Sequence, residues 1–191
     1  MNNIFSNLNL FAHYLVQEIL KPGDWAIDAT AGNGKDTLFL AKTVTNSGQV
    51  FAFDIQDQAL EMTRNLLVAN NALTGVQLIK SGHENMESII SGKVKAVMFN
   101  LGYLPGGDHE VITKPETTLA GIRQALNLLD QGGIITITIY SAHEGGKEEK
   151  EAVEELVENL DSRKWNVLKW SFLNKSTNAP FIVVIYRKEE G

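Results

Sequence analysis

Short apolar runs alternate with helical stripes along this chain. In "MNNIFSNLNLFAHYLVQEIL", Leu8, Phe11, Leu15 and Ile19 recur near helical spacing, and "KPGD" breaks the pattern at Pro22 and Gly23. "WAIDAT" (25–30) reads as a strand, "KDTLFLAKTV" (35–44) as a helix and "QVFAFDI" (49–55) as a second strand. Asp57 is a candidate cap for the next helix, whose stripe is Met62, Leu66, Ala69 and Leu73. "VQLIKS" (76–81) is a third strand, a short helix follows near 85–90, and "KAVMFNL" (95–101) is a fourth strand. Thr113 and Glu116 stand at capping-box spacing before a helix that runs to about Asp130. "GGIITITIYS" (132–141) is a fifth strand, and Val153, Leu156, Val157 and Leu160 give the following helix its buried stripe. "WNVLKWSFL" (165–173) and "FIVVIYR" (181–187) close the chain as two strands with no helix between them.

Strand and helix in steady alternation imply a parallel sheet covered by helices on both faces. The last two strands are expected to form an antiparallel hairpin near the sheet edge. The expected fold is therefore α/β, with a seven-stranded, mostly parallel sheet and a C-terminal antiparallel hairpin. That order resembles the Rossmann-like class I methyltransferase fold. No repeat or linker divides the 191 residues, so 1–191 is read as a single domain.

Charge and composition narrow the setting. The net charge of −6 argues at first against a nucleic-acid partner, but "EGGKEEKEAVEELVENLD" (144–161) carries eight acids and two lysines. The rest of the chain is balanced, and the acidic run reads as a solvated helix face. No apolar run reaches the ~18–20 residues of a membrane span, and the first residues lack the features of a signal peptide. Cysteine is absent, which excludes disulfides, thiolate metal sites and a cysteine nucleophile and fits a cytoplasmic protein.

The chemistry gathers at strand ends. "DATAGNGKD" (28–36) follows strand one and opens a helix, where an open α/β sheet binds its ligands. Gly32 and Gly34 allow a tight turn and a close ligand. A dinucleotide fingerprint would need a third glycine, and position 37 is Thr37. Asp28 and Asp36 flank the turn, with Asn33 between them. Carboxylates would repel a pyrophosphate but suit a cation, and S-adenosylmethionine carries an ammonium and a sulfonium. Asp54 ends strand two and can accept hydrogen bonds from both ribose hydroxyls, with Gln56 beside it. His83, after strand three, is a candidate to stack on or bond the adenine. Asn100 ends strand four.

"NLGYLPGGDH" (100–109) is the most specific stretch. Together with "DATAGNGKDTLFLA", "FAFDIQ" and "YSAHEGGKEE" it resembles, over nearly the whole chain, the small bacterial proteins labelled putative rRNA methylases. Ala142 departs from a glycine expected in the last block. The resemblance implies an S-adenosylmethionine-dependent N-methyltransferase acting on the aminomethyl group of wobble uridine 34 in tRNA. It implies no metal and a tRNA anticodon region as partner; the short apolar runs give no membrane partner, and a homodimer is an assembly left open. An alkylamine is largely protonated near pH 7, so either a group must take its proton or the site must disfavour the cation. Asp108 and His109 are the candidates for that, and Tyr140 and His143 for shaping the uridine pocket. A methyltransferase acting on rRNA or a small amine, and a nucleotide-binding protein without catalysis, are the alternatives.

Overall fold

A computed structural model describes residues 4–5, 7–102, 113–140, 145–176 and 179–189. Among these, seven strands are β1 (Trp25–Asp28), β2 (Gln49–Asp54), β3 (Val76–Lys80), β4 (Val94–Leu101), β5 (Leu129–Ile139), β6 (Trp165–Trp170) and β7 (Phe181–Arg187). They form one sheet in the order β3-β2-β1-β4-β5-β7-β6. The first five are mutually parallel. β7 pairs antiparallel with β5 and with β6, so the hairpin lies at one edge with β6 outermost. This is the Rossmann-like methyltransferase order.

Helices cover both faces. α1 (Leu8–Ile19), α2 (Lys35–Val44) and α3 (Asp57–Ala69) lie on one; α4 (Met86–Ile89), α5 (Pro115–Leu128) and α6 (Gly146–Glu158) lie on the other. Alternate strand residues feed the two cores. Ala26, Val50, Ala96 and Met98 meet Leu8, Ala12, Val16, Leu40 and Leu67. Ile27, Phe51, Phe53, Val97 and Phe99 meet Met86, Ile122, Ala125, Val153 and Val157. A strand buried on both faces needs apolar side chains at most positions, which is why these strands read as largely apolar runs, with Asp28, Thr136 and Thr138 as buried polar exceptions. No described helix is long and apolar enough to cross a membrane.

Several local expectations change. On α3 the buried residues are Ala59, Thr63 and Leu67, while Met62 is 39% exposed. Small side chains face inward there because the Gly34 turn approaches too closely for large ones. On α1 the buried line is Leu8, Ala12 and Val16, with Phe11, Leu15 and Ile19 half-buried beside it. Asp57 does not cap α3. It is the first helical residue and pairs with Lys80 at 2.6 Å, and Gln56 holds the cap position. Thr113 and Glu116 form no capping box; Lys114 precedes α5 and Pro115 opens it. β6 ends at Trp170, short of the expected Leu173.

The chain reverses its direction of sheet growth between β1 and β4. β2 and β3 are added on one side of β1, and β4 and β5 on the other. The crossovers leave β1 and β4 in opposite senses, and a crevice opens at their carboxyl ends.

Candidate functional site

The turn after β1 is built from backbone hydrogen bonds. Ala31 N–H donates to the Phe53 carbonyl and Gly34 N–H to the Ala31 carbonyl, both at 2.8 Å. Gly32 (φ 50°) and Gly34 (φ 77°) occupy the left-handed region, which suits residues without a Cβ. Gly34 also serves packing rather than ligand approach. A Cβ there would stand 2.8 Å from the Thr63 Cα on α3.

Asp54 reaches this turn from the end of β2. Its Oδ2 accepts from Gly32 N–H and its Oδ1 from Gln56 N–H, each at 2.9 Å. A carboxylate has about four acceptor sites, so lone pairs remain for a ligand.

Asp28 lies beneath the turn, fully buried and outside the cavity lining, instead of facing a ligand. It accepts from the Thr37 hydroxyl at 2.6 Å and Thr30 N–H at 3.2 Å. Burial, and then the charge of Asp36, push its pKa up to about 7. Its work is to hold the start of α2 to the end of β1.

Asp36 joins three elements. His13 Nε2 of α1 lies 2.5 Å from its Oδ1, with the imidazole stacked on Phe39 at 4.0 Å between centroids. The Asn100 amide of β4 donates to its Oδ2. Since a carboxylate only accepts, the Asn100 NH2 group must face it. That leaves Asn100 Oδ1 as an acceptor with no protein partner, and Asn33 Oδ1 is another.

These groups border a cavity of about 690 Å³ at the carboxyl ends of the strands. Its size is that of a small-molecule site. Gly32, Asn33, Asp36, Asp54, Gln56, His83, Asn100 and Tyr140 all line it. His83 is placed differently from the expectation of a base-stacking ring. It is 7% exposed, its Nδ1 donates to the Ala29 carbonyl at 3.2 Å, and it meets Phe99 edge-on at 5.5 Å between centroids. A side chain at Gly121 would strike it. Its Nδ1 ties the ring to the end of β1 and the ring packs against α5, while its buried Nε2 has no partner among the described residues; burial lowers its pKa and favours the neutral form.

Tyr140 donates to Asn9 Oδ1 of α1 at 3.2 Å, and burial raises its pKa against that bond. Asp108, His109 and His143 lie outside the described residues. The ends of the segment that bears the first two are tied together at the cavity wall. Thr113 N–H donates to the Gly102 carbonyl, and Gly102 N–H donates to Thr113 Oγ1, both at 3.1 Å. Beneath them Glu149 of α6, 1% exposed, accepts from the Thr113 hydroxyl at 2.9 Å and the Thr118 hydroxyl at 2.6 Å.

Asn9, His13, Thr113 and Glu149 were not legible as site residues. For the first two a signal existed: Asn9 and His13 stand four apart, so one polar line runs along an otherwise apolar helix. Lys35 and Lys114 stand exposed at the cavity mouth. Among the described residues no three His, Asp or Glu side chains gather as a metal site.

The wall is thus rich in acceptors. Two carboxylates and two unpartnered amide oxygens suit a ligand that brings donors and positive charge. An ammonium fits the Asn33 and Asn100 oxygens, and a pair of hydroxyls fits Asp54.

The chain is also similar to known proteins. The family model described as Putative rRNA methylase matches residues 50–186. A protein of Arabidopsis thaliana named tRNA (mnm(5)s(2)U34)-methyltransferase, chloroplastic, is 38% identical over 188 residues, covering 93% of this chain and 68% of that protein. A crystal structure of a putative rRNA-methylase from Clostridium thermocellum is 44% identical, with a TM-score of 0.92 and 98% of each chain covered. A putative methyltransferase from Streptococcus mutans, solved in complex with SAH, is 37% identical with a TM-score of 0.86, covering 98% of this chain and 99% of that one.

Proposed function

We infer the function from one premise: this chain belongs to the rRNA methylase family. It is an S-adenosylmethionine-dependent methyltransferase. The substrate we assign is tRNA, and the reaction is N-methylation of the 5-aminomethyl group on wobble uridine 34, giving 5-methylaminomethyluridine or its 2-thio form. The Arabidopsis relative carries that modification in its name. We treat residues 1–191 as one methyltransferase domain that works on tRNA in the cytoplasm.

The observation that carries the reading is the acceptor-rich wall formed by Asn33, Asp36, Asp54 and Asn100. When bound, S-adenosylmethionine supplies an electrophilic methyl on a sulfonium. Asp54 would hold the ribose hydroxyls, with Gln56 beside it, and Gly32 would let the backbone come close. Asn33 would take the ammonium end. The protein's own task is then alignment and a free amine lone pair. Asp36 fixes the Asn100 amide, and Asn100 Oδ1 can accept a hydrogen from the substrate amine. Asp108 or His109 would take the proton that keeps an alkylamine cationic near pH 7. Tyr140 and His143 would shape the space around the uracil.

Mass spectrometry of tRNA nucleosides from cells lacking the protein tests this directly. The expected result is accumulation of the 5-aminomethyl precursor with loss of the methylaminomethyl product. Unchanged tRNA nucleosides with a missing methyl in ribosomal RNA would replace tRNA by rRNA as the substrate.

A further inference from the structure

The carboxyl edge of the sheet carries a second feature beside the cavity. Phe181 lies opposite Ile139, so β7 starts at the carboxyl end of β5. Trp170 lies opposite Ile182, so β6 ends at that same edge. The segment after Trp170 therefore leaves the sheet on the cavity side. Two strand spacings, roughly 10 Å, separate it from the tip of β5 that leads to Tyr140.

That segment makes an aromatic ledge with a cation on it. Trp170 stacks on Phe11 of α1, with centroids 4.2 Å apart and planes 21° apart. Phe172 lies against Trp170 at 5.1 Å. The Lys175 ammonium stands 3.9 Å from the Phe172 ring centroid. Leu173 is 98% exposed. Lys175 has no carboxylate within ion-pair distance among the described residues. The ledge packs on the core beneath α1, whereas the acidic helix α6 packs on the opposite core. The sheet thus separates the chain's negative run from this surface.

We propose that the ledge holds the single-stranded loop of the RNA substrate while the target nucleotide enters the cavity. This rests on the chain being an RNA methyltransferase. RNA loops are gripped by aromatic faces that take splayed bases and by cations that take phosphates. Leu173 supplies the apolar contact on the platform that Trp170 and Phe172 support, and Lys175 supplies the charge. A second copy of the chain fits less well, because lysine is depleted from the cores of protein interfaces.

The test compares the parent protein with Lys175→Glu and Leu173→Ser, both changes at exposed positions. The probe is bulk tRNA from cells lacking the protein. Methyl transfer is followed across salt concentrations, with S-adenosylhomocysteine affinity measured alongside. The expected result is a KM for tRNA at least tenfold higher for Lys175→Glu, with kcat and cofactor affinity unchanged. The dependence of log KM on log salt should also flatten by about 0.7, the share of one single-strand phosphate contact. An unchanged KM and slope in both variants would overturn the ledge, as would loss of self-association in sedimentation with tRNA kinetics intact. If the parent protein ignores tRNA but methylates ribosomal RNA fragments, the tRNA assignment fails by itself. The same two variants then test the ledge on those fragments, with the same two results deciding it.

Discussion

Asp28 is a carboxyl group whose pKa the folded chain pushes far above the usual carboxylate range, and this has a measurable consequence. It is fully buried, and its pKa is pushed up to about 7 by burial first and by the charge of Asp36 second. In the unfolded chain the same group ionises near 3.8. The folded state therefore holds one more proton between those values, and stability falls as pH rises through that window. For a single site with these two values, the loss between pH 5 and pH 8 is roughly 2–3 kcal/mol. Asp28→Asn removes the titration while keeping the shape. Relative to the parent, the variant should gain roughly 2–3 kcal/mol between pH 5 and pH 8, read from urea unfolding at both values. The comparison cancels His83, whose lowered pKa acts in the opposite sense: its contribution is lost as pH falls below its unfolded value of 6.5. Asp36→Asn gives a second check. With the second cause gone, the stability step assigned to Asp28 should move to lower pH. If Asp28→Asn keeps a constant offset from the parent across the range, the carboxyl is not held neutral and the reasoning fails.

The remaining expectations concern the turn and the reaction. Gly34→Ala should lower stability by about 1–3 kcal/mol, because the left-handed φ and the Thr63 backbone both oppose a Cβ; an unchanged melting temperature would show that α3 can give way. Asp54→Ala should weaken S-adenosylhomocysteine binding by on the order of 1–3 kcal/mol in calorimetry, since a charged acceptor is lost and Gly32 N–H loses its partner. Normal affinity would remove Asp54 from the site. Asp108→Ala and His109→Ala should keep cofactor binding but lose ~10²–10⁴ in turnover on precursor tRNA, as is typical for a general base. Parent rates in both would leave alignment alone to carry the reaction. The parent rate itself should fall at low pH, where the amine is more fully protonated.

Much of this protein follows from its linear order. Mostly apolar runs at 25–30, 49–55, 95–101 and 132–141 read as strands buried on both faces, and the helical stripes between them imply parallel crossovers. The absence of a helix between 165–173 and 181–187 sets the antiparallel hairpin, because two adjacent strands need no crossover. Chain order also marks which residues stand at strand ends, so Gly32, Asn33, Asp36, Asp54 and Asn100 were legible as a group. What each of them does there depends on distances between segments far apart in the chain. Asp28 reads like Asp54, yet one is sealed under the turn and the other borders the cavity. His83 reads as a ring free to stack on a ligand, yet it is wedged between the end of β1 and Gly121 of α5 while still lining the cavity. Small residues on α3 face inward because the turn at Gly34, 29 residues earlier, comes within contact of Thr63. His13 and Asn100 meet only through Asp36, across 23 and 64 positions of sequence. Periodicity reports which face of an element is apolar. Only the packed chain decides which polar groups on the remaining face find one another.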